Sequence, residues 1–326
     1  MNGTSNLGAT AGARRSPSTA RRAVAACAAG LAAVSACALC ALAVRRRLAE
    51  DDVHLVMRSK FGPIAIYDVE GDDGSPVRVL SVAGSAQSAT YLDDRYAELA
   101  YAYPRLYDLA FVARPETRDQ LMVGGGGFAY PKHLVATRPE ARIDVVEVDE
   151  RVVSLARRYF FLDRLAEEYD TDASGRLRVI VGDGREHLRE CARDGRRYDA
   201  ILNDAFAAGR PAASMLTLQA ADEVHACLRA GGLYLTNVVS ALYGGGARTL
   251  RSVVATLSTR FAHVVAVPCA EEGSGAFEAD NVMVIASDAN LEALRPLGAR
   301  TVATGPDDPV LSDDEARRTL RRLSRR

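Results

Sequence analysis

The sequence predicts an α/β protein built on a doubly wound sheet, and three observations lead there. The run Leu121-Met-Val-Gly-Gly-Gly-Gly127 puts four glycines straight after a short apolar strand, with helical spacing beyond. Strand candidates at 120–124, 142–148, 177–181, 198–204 and 232–238 alternate with helical stretches, as parallel strands with crossover helices do. Two more candidates, 262–268 and 280–287, are joined by a Gly/Glu-rich loop (270–279) without a helix, which predicts a closing antiparallel hairpin.

The chain has 326 residues, 48% hydrophobic and 25% charged, with net charge −1. That suffices for a sizeable core and about two domains, and supplies no overall drive toward nucleic acid. Of its cysteines, Cys27, Cys37 and Cys40 share one apolar stretch, while Cys191, Cys227 and Cys269 lie far apart. This reads as a reduced compartment, with no metal expected.

Residues 1–22 are Gly/Ser/Thr/Ala-rich, carry Arg14, Arg15, Arg21 and Arg22, and read as disordered. Residues 23–44 carry no charge. As a helix they would span ~33 Å, enough for a bilayer core, which predicts a single transmembrane anchor. The alternative is a signal peptide cleaved after Ala41-Leu-Ala43, and Arg45, Arg46 and Arg47 immediately beyond argue against it. Residues 51–92 read as a small β-hairpin domain, with strands at 63–68 and 77–82 around the turn-rich loop Glu70-Gly-Asp-Asp-Gly-Ser-Pro76. Residues 93–112 have helical spacing, and Gly231-Gly232 is expected to stop the helix before the fifth main strand.

In a parallel sheet with helical crossovers the ligand sits at the carboxyl ends of the strands. Those ends hold Gly124–Gly127, then Glu147 and Asp149, then Gly182-Asp183-Gly184, then Asn203-Asp204. Glycines let a backbone approach a ligand, a following helix start offers free N–H groups, and an acid some twenty residues on suits the two hydroxyls of a ribose. The combination predicts a nucleoside-type cofactor. Each acid alone would pass as a helix cap.

These residues resemble the spermidine synthase (polyamine aminopropyltransferase) family, and more closely its bacterial membrane-associated branch, over roughly residues 60–315. The resemblance implies a seven-stranded, class I methyltransferase-like sheet. Gly124, Gly125 and Gly126 match the family's glycine motif; Val146-Glu-Val-Asp-Glu150 matches its ribose-binding strand end, with Glu147 on the hydroxyls and Asp149 beside it. Val181-Gly-Asp-Gly184 matches the motif that meets the adenine amino group, which falls on Asp183 with Gly184. Tyr198-Asp-Ala-Ile-Leu-Asn-Asp204 matches the strand that ends in the catalytic acid, so Asp204 is the implied base. Gln87 matches a glutamine facing the nucleoside, Tyr96 and Glu98 match a substrate-binding Tyr-x-Glu/His pair, and Val310-Leu-Ser-Asp-Asp314 matches a C-terminal motif of the membrane-associated branch.

The family usually has Gly-Gly-Gly-Asp-Gly-Gly and Asp-Ser-x-Asp-Pro. Here Gly127 stands at the acid position of the first motif, with Phe128 after it, and Ala207 stands at the second acid of the other. An ammonium taken out of water wants a carboxylate partner, so weak or absent use of putrescine is expected, with Gly127→Asp plus Ala207→Asp raising affinity provided Phe128 leaves room. The implied reaction is aminopropyl transfer from decarboxylated S-adenosylmethionine to an amine. Methyl transfer from intact S-adenosylmethionine and a non-catalytic membrane-tethered binding domain are the alternatives. The expected partners are a small-molecule amine or other acceptor and the membrane, with no nucleic acid; a homodimer is left open. Arginines flank residues 23–44 almost equally, so charge does not orient the anchor. A cytosolic S-adenosyl donor does, which puts the catalytic domain in the cytoplasm. The basic tail 316–326, with Arg317, Arg318, Arg321, Arg322, Arg325 and Arg326, would lie on an anionic leaflet or form a solvated helix face.

Overall fold

The computed structural model describes residues 53–71, 73–207, 209–269 and 277–324. The tail 1–22, the apolar segment 23–44, Arg325 and Arg326 lie outside them. Among the described residues no helix is long and apolar enough to cross a membrane.

Strands β1 (Val53–Ser59), β2 (Gly62–Glu70), β3 (Pro76–Val82) and β4 (Ser85–Tyr91) form one antiparallel sheet in the order β1-β2-β3-β4. The expected hairpin is its central pair, and the expectation is corrected to four strands. The fourth was hidden because Ser85-Ala-Gln-Ser-Ala-Thr-Tyr91 is poor in strand formers. Pairing with β3 and burial of Ser88, Ala89 and Thr90 hold it in place. The helical spacing over 93–112 resolves into a 3-10 turn, Tyr103–Asp108, and a short helix, α1 (Leu109–Ala113). Pro104 fits a first helical turn but would break a longer helix at its centre.

The main sheet contains β5 (Asp119–Val123), β6 (Arg142–Glu147), β7 (Leu177–Val181), β8 (Tyr198–Asn203), β11 (Leu228–Ser240), β12 (His263–Pro268) and β13 (Asp280–Ser287). Its order is β12-β13-β11-β8-β5-β6-β7. The strands β11, β8, β5, β6 and β7 run parallel, and β13 is antiparallel to its neighbours, as the expected closing hairpin required. Between β8 and β11 the two-residue strands β9 (Phe206–Ala207) and β10 (Arg210–Pro211) pair with each other. The helices are α2 (Ala129–Thr137), α3 (Glu150–Tyr159), α4 (Leu162–Tyr169), α5 (Thr171–Ser174), α6 (Gly184–Asp194), α7 (Leu218–Cys227), α8 (Arg248–Leu257) and α9 (Ala316–Leu323).

Alternate residues of the central strands feed two cores. Met122, Val145, Leu202 and Ile285 pack on one face, while Leu121, Val146, Ile201 and Val284 pack on the other. Burial on both faces explains why these strands read as continuous apolar runs. Gly231-Gly232 does not stop α7, which ends at Cys227. The strand begins at once, and Gly231, at φ +68°, sits in the register shift between Leu228 and Leu233. The basic segment at 316–323 is an amphipathic helix seated on the body, with Ala316, Thr319 and Leu323 buried.

Candidate active site

A cleft of about 1090 Å³ opens at the carboxyl ends of β5, β6, β7 and β8. Gln87, Gly124, Gly125, Gly126, Glu147, Asp183, Gly184 and Asp204 all line it. Parallel pairing puts these strand ends side by side, so residues 80 positions apart in sequence become neighbours.

The glycine loop is built around one contact. Gly124 has φ +96°, and a Cβ there would stand 2.6 Å from the Asp204 carbonyl oxygen. No larger residue fits between the two strand ends. The Glu147 carboxylate, 7% exposed, organises the loop from the next strand. Its Oε2 accepts from the Gly125 and Gly126 N–H groups at 2.9 and 3.2 Å, and its Oε1 from Asp149 N–H at 3.0 Å. Asp183 caps α6, with Oδ1 accepting from Arg185 and Glu186 N–H groups. Gln87, on β4, lines the cleft as well, and its carbonyl oxygen lies 3.3 Å from the Tyr103 hydroxyl.

Asp204 lies just past β8. Tyr103 donates to its Oδ2 and Asn237 Nδ2 to its Oδ1, each at 3.1 Å. Burial in the cleft wall raises its carboxyl above the ordinary carboxylate value, and hydrogen bonds from Asn237 and Tyr103 oppose that rise. The result is a carboxylate held in one orientation and made more basic than an exposed one. Asn203 shapes the turn around it, with Nδ2 donating to Thr236 Oγ1 and Oδ1 accepting from Ala205 N–H.

Three residues expected at the site lie elsewhere. Asp149 is the cap of α3: its Oδ1 accepts from Arg151 N–H and its Oδ2 from Lys60 N–H, so it ties β6 to the β1–β2 turn. Tyr96 is 2% exposed in the core and donates to Glu168 at 2.6 Å, and Glu98 is exposed on the surface. None of the three lines the cleft. Position 127 is also turned away. A Cβ on Gly127 would lie 2.7 Å from Ser88 Oγ and 3.1 Å from Phe160 Cδ1, which corrects the expectation that Gly127→Asp simply restores an acid. Phe128 next to it is fully buried at φ +56°, a left-handed conformation that costs about 1–2 kcal/mol and that its burial offsets.

Tyr103 and Asn237 were not anticipated. Asn237 could have been: it lies at the carboxyl end of the strand expected at 232–238. Tyr103 reaches Asp204 across 101 residues and leaves no local signature. A third missed group is Arg185, 5% exposed in the cleft wall. It chelates Glu223 and Asp313 and donates to the Ser214 carbonyl, joining α6, α7 and the segment before α9. The Val310–Asp314 motif supplies Asp313 to this cluster.

The spermine/spermidine synthase domain matches residues 102–270. The polyamine aminopropyltransferase of Vibrio vulnificus is 29% identical over 169 residues, 51% of this chain and 54% of that protein. Polyamine aminopropyltransferase 2 of Hyperthermus butylicus is 31% identical over 166 residues, 50% of each. The chain thus spans about half the length of these curated relatives. Among solved structures, a probable spermidine synthase from Corynebacterium glutamicum superposes with TM-score 0.61 at 19% identity, covering 79% of this chain and 96% of that one.

Proposed function

Because the chain belongs to the spermine/spermidine synthase family, we propose that its cleft binds an S-adenosyl nucleoside and transfers an aminopropyl group to an amine. One observation carries the reading: Gly124–Gly126, Glu147, Asp183 and Asp204 come from four adjacent parallel strand ends and line one cleft. Glu147 is assigned to the ribose hydroxyls, with its glycine-loop bonds holding it in place. Asp183 and Gln87 are assigned to the adenine end.

Decarboxylated S-adenosylmethionine, bound there, supplies a carbon made electrophilic by the adjacent sulfonium. The amine must be neutral to attack. Asp204 takes or relays its proton as the C–N bond forms, the C–S bond breaks and methylthioadenosine leaves. Tyr103 and Asn237 position the carboxylate and leave it ionised above its raised pKa. Methyl transfer from intact S-adenosylmethionine is the second reading, since it needs the same nucleoside site and Ala207, in the cleft wall, carries no acid. Among the described residues no group of His, Cys, Asp and Glu could hold a metal ion.

The test is turnover of decarboxylated S-adenosylmethionine with a panel of amines, followed as methylthioadenosine release. Asp204→Asn should lose at least ~100-fold in kcat, within the range for a lost general base, and still bind methylthioadenosine. Undiminished turnover in Asp204→Asn would remove the base assignment. We also infer that residues 23–44 anchor the chain with the enzyme domain in the cytoplasm. Protection of the C-terminus from protease in right-side-out vesicles is the expected result, and cleavage from outside overturns it.

A further inference from the structure

The half of the cleft beyond Asp204 is lined with cations. After Asp204 the chain runs Ala205-Phe-Ala-Ala-Gly-Arg-Pro-Ala-Ala213, without an acid. It folds back on itself so that Arg210 is the ladder partner of Ala207. Arg210 lines the cleft, and its guanidinium reaches Ser324 Oγ at 3.5 Å, beside the end of α9. From α9, Arg317 and Arg321, one turn apart, line the same cleft. All three arginines are exposed, and among the described residues the guanidinium groups of Arg317 and Arg321 have no ion-pair or hydrogen-bond partner. Their neighbour Arg318, by contrast, pairs with Glu315.

The acids nearby do not balance these charges. Asp313 is engaged by Arg185 at 3.0 and 3.2 Å and by the Thr217 hydroxyl at 2.6 Å. Glu147 is held by the glycine loop and Asp183 caps α6, which leaves Asp204 as the cleft acid for the acceptor, and one acid suffices to handle the proton of a single amine. A polycation would bring a second ammonium against free guanidinium groups. An anion would instead find donors with a fixed forked geometry that match carboxylate and phosphate oxygens.

We propose that Arg210, Arg317 and Arg321 form an anion-binding subsite, and that the acceptor is a short amine carrying a carboxylate or phosphate at its far end. This rests on the S-adenosyl nucleoside reading of the cleft. The subsite would place the anionic end at the mouth and the amine toward Asp204.

The test loads the full chain with methylthioadenosine and then titrates putrescine and γ-aminobutyrate, two amines of similar length and opposite second charge. Wild type should bind γ-aminobutyrate at least tenfold more tightly than putrescine. Arg317→Gln with Arg321→Gln should abolish that preference and leave methylthioadenosine affinity unchanged. Tighter putrescine binding, no binding of either amine, or an unchanged preference in the double variant overturns the proposal. A parallel titration of intact and decarboxylated S-adenosylmethionine identifies the source of the anion. If the double variant weakens only the intact donor, the subsite reads the donor carboxylate and the acceptor assignment falls. A wild-type chain that binds no methylthioadenosine overturns the nucleoside reading itself, a separate result from a bound nucleoside with no anion preference.

Discussion

Tyr103 and Asn237 donate to the Asp204 carboxylate from a 3-10 turn and from β11, and each stabilises the ionised form. Removing one therefore raises the carboxyl pKa further. In Tyr103→Phe the acid limb of the pH–rate profile should move to higher pH, and kcat should fall by ~10-fold or more, since a hydrogen bond to a charged group is worth about 1.5–3 kcal/mol. An acid limb that stays put would assign Tyr103 a packing role only. Glu147 and Asp149 make a second contrast. Both are acids at the end of β6, and the spacing from the glycine run did not separate them. The structure does: Asp149 spends its oxygens on the N–H groups of Arg151 and Lys60, while Glu147 faces the cleft. Asp149→Ala should lower stability by ~1 kcal/mol, a typical cap loss, without touching nucleoside affinity. Weakened methylthioadenosine binding in a folded Asp149→Ala would return that residue to the site.

At the scale of elements, the parallel strands were legible because burial on both faces leaves continuous apolar runs, and the glycine loop because only glycine fits beside the Asp204 carbonyl. The strand β4 was not, because pairing with β3 rather than its own composition makes it a strand. For α9 the six arginines of 316–326 leave a leaflet-bound tail and a solvated helix face equally open, because the buried stripe of Ala316, Thr319 and Leu323 that seats the helix is short. Arg185 holds the segment that leads into this helix. Its partners Glu223 and Asp313 are partly exposed and can rehydrate, so the loss is that of hydrogen bonds to charged groups, about 1.5–3 kcal/mol. Arg185→Gln should therefore lower stability by ~2 kcal/mol and expose 310–324 to faster amide exchange than the central strands show. Uniform exchange across the chain would mean that α9 is held by its apolar face alone.

For the molecule as a whole, Lys132 links stability to pH. It is 1% exposed, donating to Thr90 Oγ1 at 2.8 Å and to the Phe160 carbonyl at 2.9 Å, without a carboxylate, and burial lowers its pKa to about 7. The unfolded chain keeps that proton up to its ordinary 10.5. Between these values the unfolded state binds more protons, so stability rises as pH climbs from about 7 toward 10; below 7 the cost of burying the charge is fully present. Lys132→Met should flatten the denaturation midpoint against pH in that window, and an unchanged slope would remove Lys132 as its source. Whether four strand ends assemble one S-adenosyl nucleoside site is decided by calorimetric titration of the full chain with methylthioadenosine. Saturable one-site binding is expected, weakened by ~1–3 kcal/mol in Glu147→Ala through loss of buried hydroxyl partners. No binding by the wild type, or equal affinity in a folded Glu147→Ala, would contradict it.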